Sequence, residues 1–565
     1  MFSLRNLGVF GRAYRQFNRY RHILAILIKY GFGDFVDRLK LDHYLEAGIH
    51  LISRKPRRDV KRMTRAKRIR LVFQELGPTF IKLGQLLSTR SDLISGEYHQ
   101  ELLKLQDQIP PASYEVVRKI IKNEFGKPPE ELFRYFEKEP LAGASIGQVH
   151  KAQLKTGEMV AVKIQRPDIR KLVMTDLEIV LRLAALLERN IKEFEIHRPT
   201  RIVAEFANSL SKEIDYMVET AHIERFKRQF QGDRSIHVPK VYRELTCEHV
   251  ITMEYIDGIK ISEVELLKQK GYNLETIVKR SADLILKQIF IHGFFHGDPH
   301  HANVFILPGN VICFLDFGMM GRINREEREN FTNLALQIFD GDVKRAVNSL
   351  LKHTDYFKEP DKTQFEKDLS VLIDQHLYRP LKNLDIARML QQLLWITTKH
   401  ELCFKPDLLL MVKALSTAEI LGKELDPNLD LTQHMRPFIR QVQLNRLSPK
   451  RITEDILYSG TEFVSFFLNL PGELQDILKQ AREGKFKIEF EHQGLNPMLS
   501  SHDKISNRIV FAIVLASLII GSSLIVLSDV PPKWHEIPII GLGGFVIAGI
   551  MGFWLLWSIL RQGKM

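Results

Sequence analysis

Two apolar runs near the C-terminus contain no charged residue, and they constrain this chain more than any other feature. Ile509–Leu527 has 19 residues and Ile537–Leu560 has 24. A membrane-spanning helix needs about 20 mostly apolar residues. The link between them, SDVPPKWHE, holds a turn-forming Pro531-Pro532 pair and Trp534, a residue suited to a membrane interface. The pattern predicts a two-helix membrane hairpin in preference to a buried helical pair in a soluble core. Lys504 and Arg508 precede the first run, and Arg561 and Lys564 follow the second, so both ends are expected on the cytoplasmic side. Gly541, Gly543, Gly544, Ala548, Gly549 and Gly552 suit close helix contact in lipid.

Charge marks the other end of the chain. The net charge is +13, and residues 1–70 hold 18 Lys and Arg against 5 Asp and Glu. That difference is also +13, so the other 495 residues balance at 63 basic and 63 acidic. The excess belongs to an N-terminal arm, which suits an anionic membrane surface. Nucleic acid is the other polyanion such an arm can meet, and it is not the expected partner here. Within the arm, His22–Tyr30 is too short to span a bilayer and predicts a basic amphipathic surface helix. An organellar transit peptide has a similar start, but Asp34, Asp37 and Asp42 follow soon after. The three cysteines, Cys247, Cys313 and Cys403, include no CxxC pair, which excludes a disulfide framework and a cysteine-rich zinc site.

Between these ends, apolar spacing predicts helices over Arg65–Leu87, Gly96–Gln106, most of Asp168–Phe206, Leu284–Phe295 and Asp407–Leu421. A polar linker, His492–Arg508, leads into the first apolar run. Residues 136–345 mix short strands with helices and carry the chemistry. GEMVAVKI (157–164) alternates and is rich in β-branched residues, so it reads as a strand with Lys163 inside an apolar run. A lone lysine in a strand is ordinarily a surface residue, but the context changes that. Upstream, LAGASIGQV (141–149) sets small residues between two strands, where backbone N–H groups can approach phosphates. Downstream, HGDPHHAN (296–303) places Asp298 and Asn303 five apart, and FLDFG (314–318) places Asp316 after a strand-like run. Kinase-type phosphoryl transfer uses a lysine on the phosphates, an aspartate near the acceptor, then an asparagine and a second aspartate on metal. The chain supplies this set in order. MEYIDG (253–258) reads as a strand entering a hinge between lobes, with adenine expected against the backbone of Glu254, Tyr255 and Ile256.

There are departures from an ordinary kinase. The pattern GxGxxGxV puts its glycines at Ala142, Ala144 and Gly147, so nucleotide is expected to sit differently. The acidic partner of Lys163 comes some 50 residues on, in KEIDYMVE (212–219), after a helical insertion. On one helix Glu213 and Glu219 would be about 600° apart and face different sides. One could then hold Lys163 while the other meets a different group. KLGQ (82–85) puts Lys82 and Gln85 on one helix face. A solvated Lys–Gln face is the plain reading. Gly84, which costs about 1 kcal/mol against alanine in a helix, points to close packing or function.

Together KLGQ (82–85), AGAS (142–145), VAVK (160–163), EID (213–215), HGDPHHAN (296–303) and DFG (316–318) resemble the UbiB family of atypical kinases. The resemblance is strong over roughly residues 65–345, and the C-terminal hairpin is similar to that of bacterial UbiB proteins. It implies an α+β fold: a protein-kinase-like two-lobed domain with an N-terminal helical extension and a C-terminal two-helix transmembrane hairpin. The parts would be a basic membrane-surface arm (1–60), a helical KxGQ extension over the active site (61–135), an N-lobe with helical insertion (136–257), a helical C-lobe and extension (258–500), and the hairpin (505–565).

The resemblance also implies ATP and Mg2+ as cofactors. Ala142, Gly143, Ala144, Ser145, Ile146, Gly147 and Val149 would line the phosphates with Lys163. Glu219 would partner Lys163, while Glu213 and Asp215 form an ExD motif facing Lys82 and Gln85. Asp298 would be the catalytic-loop aspartate, and Asn303 and Asp316 would hold the metal. His301 and Ala302 stand where the family pattern HxDxHPGN has Pro and Gly, and Gly143 is a smaller departure. The implied function is a membrane-bound kinase or ATPase supporting ubiquinone or other prenyl-quinone biosynthesis. It would sit in a bacterial inner membrane, multi-pass, with the kinase-like domain facing the cytoplasm. Its partners would be anionic headgroups, prenylated quinone precursors and quinone-biosynthesis proteins. Two alternatives are a phosphotransferase for a protein or small molecule, and a nucleotide-gated scaffold without enzymatic activity.

Overall fold

A computed structural model describes residues 4–34, 60, 62–89, 94, 96–105, 111–143, 145–191, 198–356, 359–377, 385–427, 429–446, 448, 453, 495–528, 531–534 and 537–562. The chain divides into two compact units, Met1–Thr453 and Glu454–Met565.

The first unit begins with helix α1 (Leu4–Lys29). From Gln16 to Lys29, most of its apolar residues are turned into the protein. Ile23 and Ile26 enter the main core, and Leu24 and Ile28 pack with Leu183, Leu186 and Leu187. The expected membrane-surface helix over His22–Tyr30 is therefore corrected: burial against this chain leaves those residues no apolar face for a bilayer. Residues 35–59 of the expected arm lie outside the described residues.

The expected helix over Arg65–Leu87 is two helices, α2 (Arg65–Leu76) and α3 (Pro78–Thr89). Gly77 caps α2 at φ 96, a conformation open to glycine, and Pro78 starts α3 where no N–H partner is needed. α4 (Gly96–Leu102) follows, with Gln106 outside the described residues. A Cβ on Gly84 would collide with Leu105 and Phe73, which gives the glycine a packing reason.

The N-lobe sheet is antiparallel. Helix α5 (Tyr114–Phe125) precedes β1 (Phe133–Phe136), β2 (Ala142–Gly143), β3 (Gly147–Leu154) and β4 (Met159–Gln165). The insertion then forms α6 (Ile169–Asn190) and α7 (Pro199–Glu213), followed by α8 (Tyr216–Gln229), β5 (Ile236–His237) and β6 (Val250–Glu254). Strand order is β1-β3-β4-β6, with β2 paired to β3. Val160, Val162 and Ile164 point to one face and bury against Val117 and Ile121 of α5. Strand alternation turns Lys163 to the opposite face.

In the C-lobe, β7 (Ile259–Lys260) leads to α9 (Leu274–Leu286). The expected helix over Leu284–Phe295 stops short: it passes through one π-helical turn, Lys287–His292, and ends at Gly293 with φ 63. Phe294 already belongs to β8 (Phe294–His296), which is followed by β9 (Val304–Leu307), β10 (Val311–Phe314) and β11 (Met320–Arg322). One sheet runs β5-β10-β9-β7, and β8 pairs with β11. Helices α10 (Arg325–Phe339), α11 (Val343–His353), α12 (Lys362–Leu377), α13 (Ile386–Lys399), α14 (Pro406–Leu425) and α15 (Leu431–Arg446) complete the unit. α14 packs on α9 and α13 and also reaches β11 and α3.

The second unit is a helical hairpin. α16 (Leu495–Leu527) takes in most of the expected polar linker, because residues 495–508 continue helical into the apolar run. β12 (Lys533–Trp534) and β13 (Ile537–Pro538) pair at the turn, and α17 (Ile539–Gln562) returns. Gly541 and Gly544 face Val526 and Ser522 of α16 so closely that a Cβ would collide. Gly543 and Gly549, expected at the same contact, face open space, since they lie off that stripe of the helix. Among the described residues one helix, over Ile509–Leu527, is long and apolar enough to cross a membrane by length and composition.

Candidate functional site

Lys163 sits mid-sheet, paired in register with Val149 on one side and Ile251 on the other. Its Nζ reaches Glu219 Oε2 at 2.9 Å and Asp316 Oδ1 at 3.7 Å. Glu219 lies in the first turn of α8 and is buried. Burial works against the Lys163 ammonium, but Asp316 and Glu219 outweigh it and hold its pKa well above the usual value. Burial pushes the Glu219 carboxyl up, with Lys163 opposing. Lys163 first, then Lys82, hold Asp316 down at about 2, against partial desolvation of a side chain that keeps 53% of its surface exposed.

Glu213 and Glu219 are not on one helix. α7 ends at Glu213, and α8 starts after Asp215, whose side chain accepts from Met217 N–H at 2.9 Å as an N-cap. The break separates the two glutamates: Glu219 pairs with Lys163, and Glu213 Oε1 pairs with Lys82 Nζ at 2.5 Å. Asp215, the other carboxylate of the expected ExD pair, caps α8 through Oδ1. Gln85 donates to the Leu105 carbonyl at 3.4 Å. A Cβ on Gly318 would lie 3.7 Å from Glu213 Cγ, so the Lys82–Glu213 pair borders the turn after Asp316.

The small-residue loop is only partly open. Ala142 and Gly143 are exposed and pair with Val149 and Gln148. Ala144 lies outside the described residues. Ser145 is buried, with no partner for its hydroxyl among the described residues, and Ile146 packs into the core, so only its backbone can face a ligand. A Cβ on Gly147 would meet Tyr216 Oη at 2.5 Å and Ile164 O at 2.7 Å, so here glycine permits close approach of strand and helix.

At the expected hinge, two of the three backbone amides already have partners. Glu254 N–H donates to Lys240 O at 2.8 Å, and Tyr255 N–H donates to Met159 O at 3.1 Å. The Glu254 carboxylate meets His237 Nε2 at 3.0 Å. The sheet's own edge thus takes the Glu254 and Tyr255 amides.

The loop after β8 is tightly tied. Asp298 N–H donates to His296 Nδ1 at 3.2 Å, His300 N–H donates to Asp298 O at 2.7 Å, and Asn303 N–H donates to His300 O at 2.8 Å. His301 and Ala302 form a 3-10 turn with Asn303, so the turn forms without Pro and Gly. Asn303 O accepts from Leu315 N–H at 2.8 Å, which sets Asn303 next to the strand that carries Asp316. Asp316 has φ 59, while Phe317 beside it is buried and His222 Nδ1 bonds its carbonyl at 2.9 Å. The Asp298 carboxylate meets Lys413 Nζ at 2.9 Å. Sequence reasoning missed Lys413. Its signal was a lone lysine inside the apolar run LLLMVKAL (408–415), without the flanking motifs that singled out Lys163.

Three family models match this chain: the ABC1 atypical kinase-like domain over residues 104–350, the UbiB helical domain over 369–430, and the ABC1/UbiB kinase-like C-terminal domain over 493–561. A probable protein kinase UbiB of Vibrio parahaemolyticus is 31% identical over 560 residues, 97% of this chain and 99% of the relative. An uncharacterized protein encoded in the hydrogenase 1 5' region of Clostridium pasteurianum is 33% identical over 547 residues, with 97% and 99% covered. A solved structure, the Rv3197–erythromycin complex from Mycobacterium tuberculosis, aligns over 64% of this chain and 92% of that one, with 21% identity and a TM-score of 0.45.

Proposed function

The chain belongs to the ABC1/UbiB family of atypical kinase-like proteins, and from that premise we propose that it is a membrane-bound, ATP-dependent enzyme supporting ubiquinone or related prenyl-quinone biosynthesis. The observation that carries this reading is the ion-paired row Glu219–Lys163–Asp316 beside the Asp298–Asn303 loop. In it Lys163 contacts nucleotide phosphates and Glu219 orients its side chain. Asp298 meets the acceptor hydroxyl or water. Asp316 and Asn303 hold Mg2+, which binds through one or two carboxylates plus phosphate oxygens. Asp316 suits that donor set: its carboxylate is held ionised and about half of its side chain, 53%, is open to solvent. Bound Mg-ATP supplies the electrophilic γ-phosphoryl group. Ala142, Gly143, Gly147 and Val149 frame the phosphates, and Ile256 with the hinge carbonyls meets adenine.

Two further observations support the reading. The Lys82–Glu213 pair ties α3 to the edge of the cleft, which favours hydrolysis or a small acceptor over protein phosphotransfer. α16 supports one membrane crossing; in this reading the 24-residue α17 makes a second, and the basic flanks favour a kinase-like domain on the cytoplasmic face of a bacterial inner membrane. The partners in this reading are anionic headgroups, prenylated quinone precursors and other quinone-biosynthesis proteins.

The test is Mg-ATP turnover by the full chain, with and without anionic liposomes and a prenylphenol-like lipid, beside Asp316→Asn. Lipid-stimulated phosphate release that is lost in the variant is the expected result. Unchanged Mg-nucleotide binding by Asp316→Asn would overturn the site. Tight nucleotide binding without turnover would favour the nucleotide-gated scaffold.

A further inference from the structure

The catalytic loop lacks a permanent cation of its own. Between Asp298 and Asn303 stand Pro299, His300, His301 and Ala302. The cation comes from α14, which places Lys413 Nζ 2.9 Å from Asp298 Oδ1. The helix is held in place for this. Asp407 Oδ1 in its first turn accepts from Arg322 N–H of β11 at 3.1 Å, and Lys405 just before it pairs with Glu327 of α10 at 3.0 Å. A Cβ on Gly297 would lie 3.5 Å from Leu410 Cδ2, so one face of α14 lies along the loop. Leu410 and Lys413 are three apart and share that face.

The backbone of Asp298 is already fixed on both sides, by His296 and His300. Its side-chain torsion is the remaining freedom, and the ion pair removes it. The pair has a second effect. A carboxylate next to nucleotide phosphates faces like charge, and an ammonium 2.9 Å away offsets that repulsion.

Resting on the enzymatic reading above, we propose that Lys413 is a positioning residue, supplied by the helical C-terminal part of the first unit, that holds the Asp298 carboxylate toward the acceptor. The α14 helix thereby becomes part of the active-site framework, although it lies outside the segment that carries the kinase-like motifs.

The experiment measures kcat and the Mg-ATP dissociation constant for the full chain and for Lys413→Met, Lys413→Arg, Asp298→Asn and the Asp298→Asn/Lys413→Met double variant, with melting temperatures for each. Lys413→Met is expected to lower kcat roughly 10- to 100-fold, the range for loss of a positioning contact, with nucleotide affinity unchanged. Lys413→Arg is expected to restore most of that loss. In the Asp298→Asn background, Lys413→Met is expected to add nothing. If the loss persists in that background, or nucleotide affinity falls, Lys413 acts on the phosphates directly and the positioning role is overturned. Normal kcat in Lys413→Met with a depressed melting temperature would make the pair structural only. Lys413→Gln takes the place of the methionine variant if that one does not fold. Asp298→Asn separates the two levels of argument. If it turns over like wild type, or the wild type is silent, the enzymatic reading fails and this inference with it. If Asp298→Asn is inactive and Lys413→Met is normal, only the inference fails.

Discussion

At His296 the two ring nitrogens have separate duties. Nε2 bonds the Leu315 carbonyl at 3.1 Å, and Nδ1 accepts from Asp298 N–H at 3.2 Å. A carbonyl only accepts, so Nε2 carries the proton and the ring is neutral. Burial lowers its pKa, with the Leu315 carbonyl opposing. Below the unfolded value of about 6.5 the unfolded chain therefore binds more protons than the folded one. The stability this ring contributes is complete above that pH and is lost as the pH falls through the lowered folded-state pKa. The melting temperature should fall on acidification from about pH 7.5 to about pH 5.5, and less steeply in His296→Gln. Parallel pH curves for the two proteins would contradict this. Other residues were legible to different degrees. For Lys163, strand alternation gave the face it turns to, and the motifs around it gave its role, since the odd positions of β4 leave the core face. The reason for Gly84 lies in Leu105 and Phe73, which only the folded chain brings to it.

Among the elements, α1 departs most from its sequence reading. Its basic, amphipathic pattern fits a membrane surface and fits a protein groove equally well, because both reward one apolar face. The groove wins here through specific pairing. Arg19 Nε meets Asp176 Oδ1 at 2.6 Å, Nη2 meets Oδ2 at 2.9 Å, and Nη2 also donates to the Leu76 carbonyl at 2.7 Å. The Asp176 side chain is fully buried at 0% exposure, so this fork is the cation that compensates it. Arg19→Met would leave a buried carboxylate uncompensated and should destabilise the first unit by about 3 kcal/mol. Arg19→Lys should recover only part of that, because an ammonium cannot make the fork. Denaturant midpoints of the three proteins check it, and equal midpoints would show α1 to be loosely held. The helix ends at Gly77 and Gly293 were open to a closer reading. Both are glycines at positive φ, the first followed by proline, and each marks a stop inside an otherwise unbroken apolar pattern.

For the whole molecule, the feature of greatest consequence is the anchor. If the hairpin spans the bilayer, removing residues 495–565 should move the protein from the membrane to the soluble fraction, most completely at high salt, where remaining basic segments are screened. Persistent attachment at high salt would place the main anchor elsewhere. The order of Lys163, Asp298, Asn303 and Asp316, the strand under Lys163 and the two charge-free C-terminal runs were determined by the sequence itself. These features depend on neighbours within a few residues or on a fixed motif order, and such patterns survive in one dimension. The separation of Glu213 from Glu219 by a capped helix break, the docking of α1 and the pairing of Lys413 with Asp298 were decided by the tertiary structure. Lys413 and Asp298 are 115 positions apart (413 − 298), and no periodicity links residues at that distance. Only the packing of α14 against the loop, through Leu410, Arg322 and Glu327, brings their charges within 3 Å.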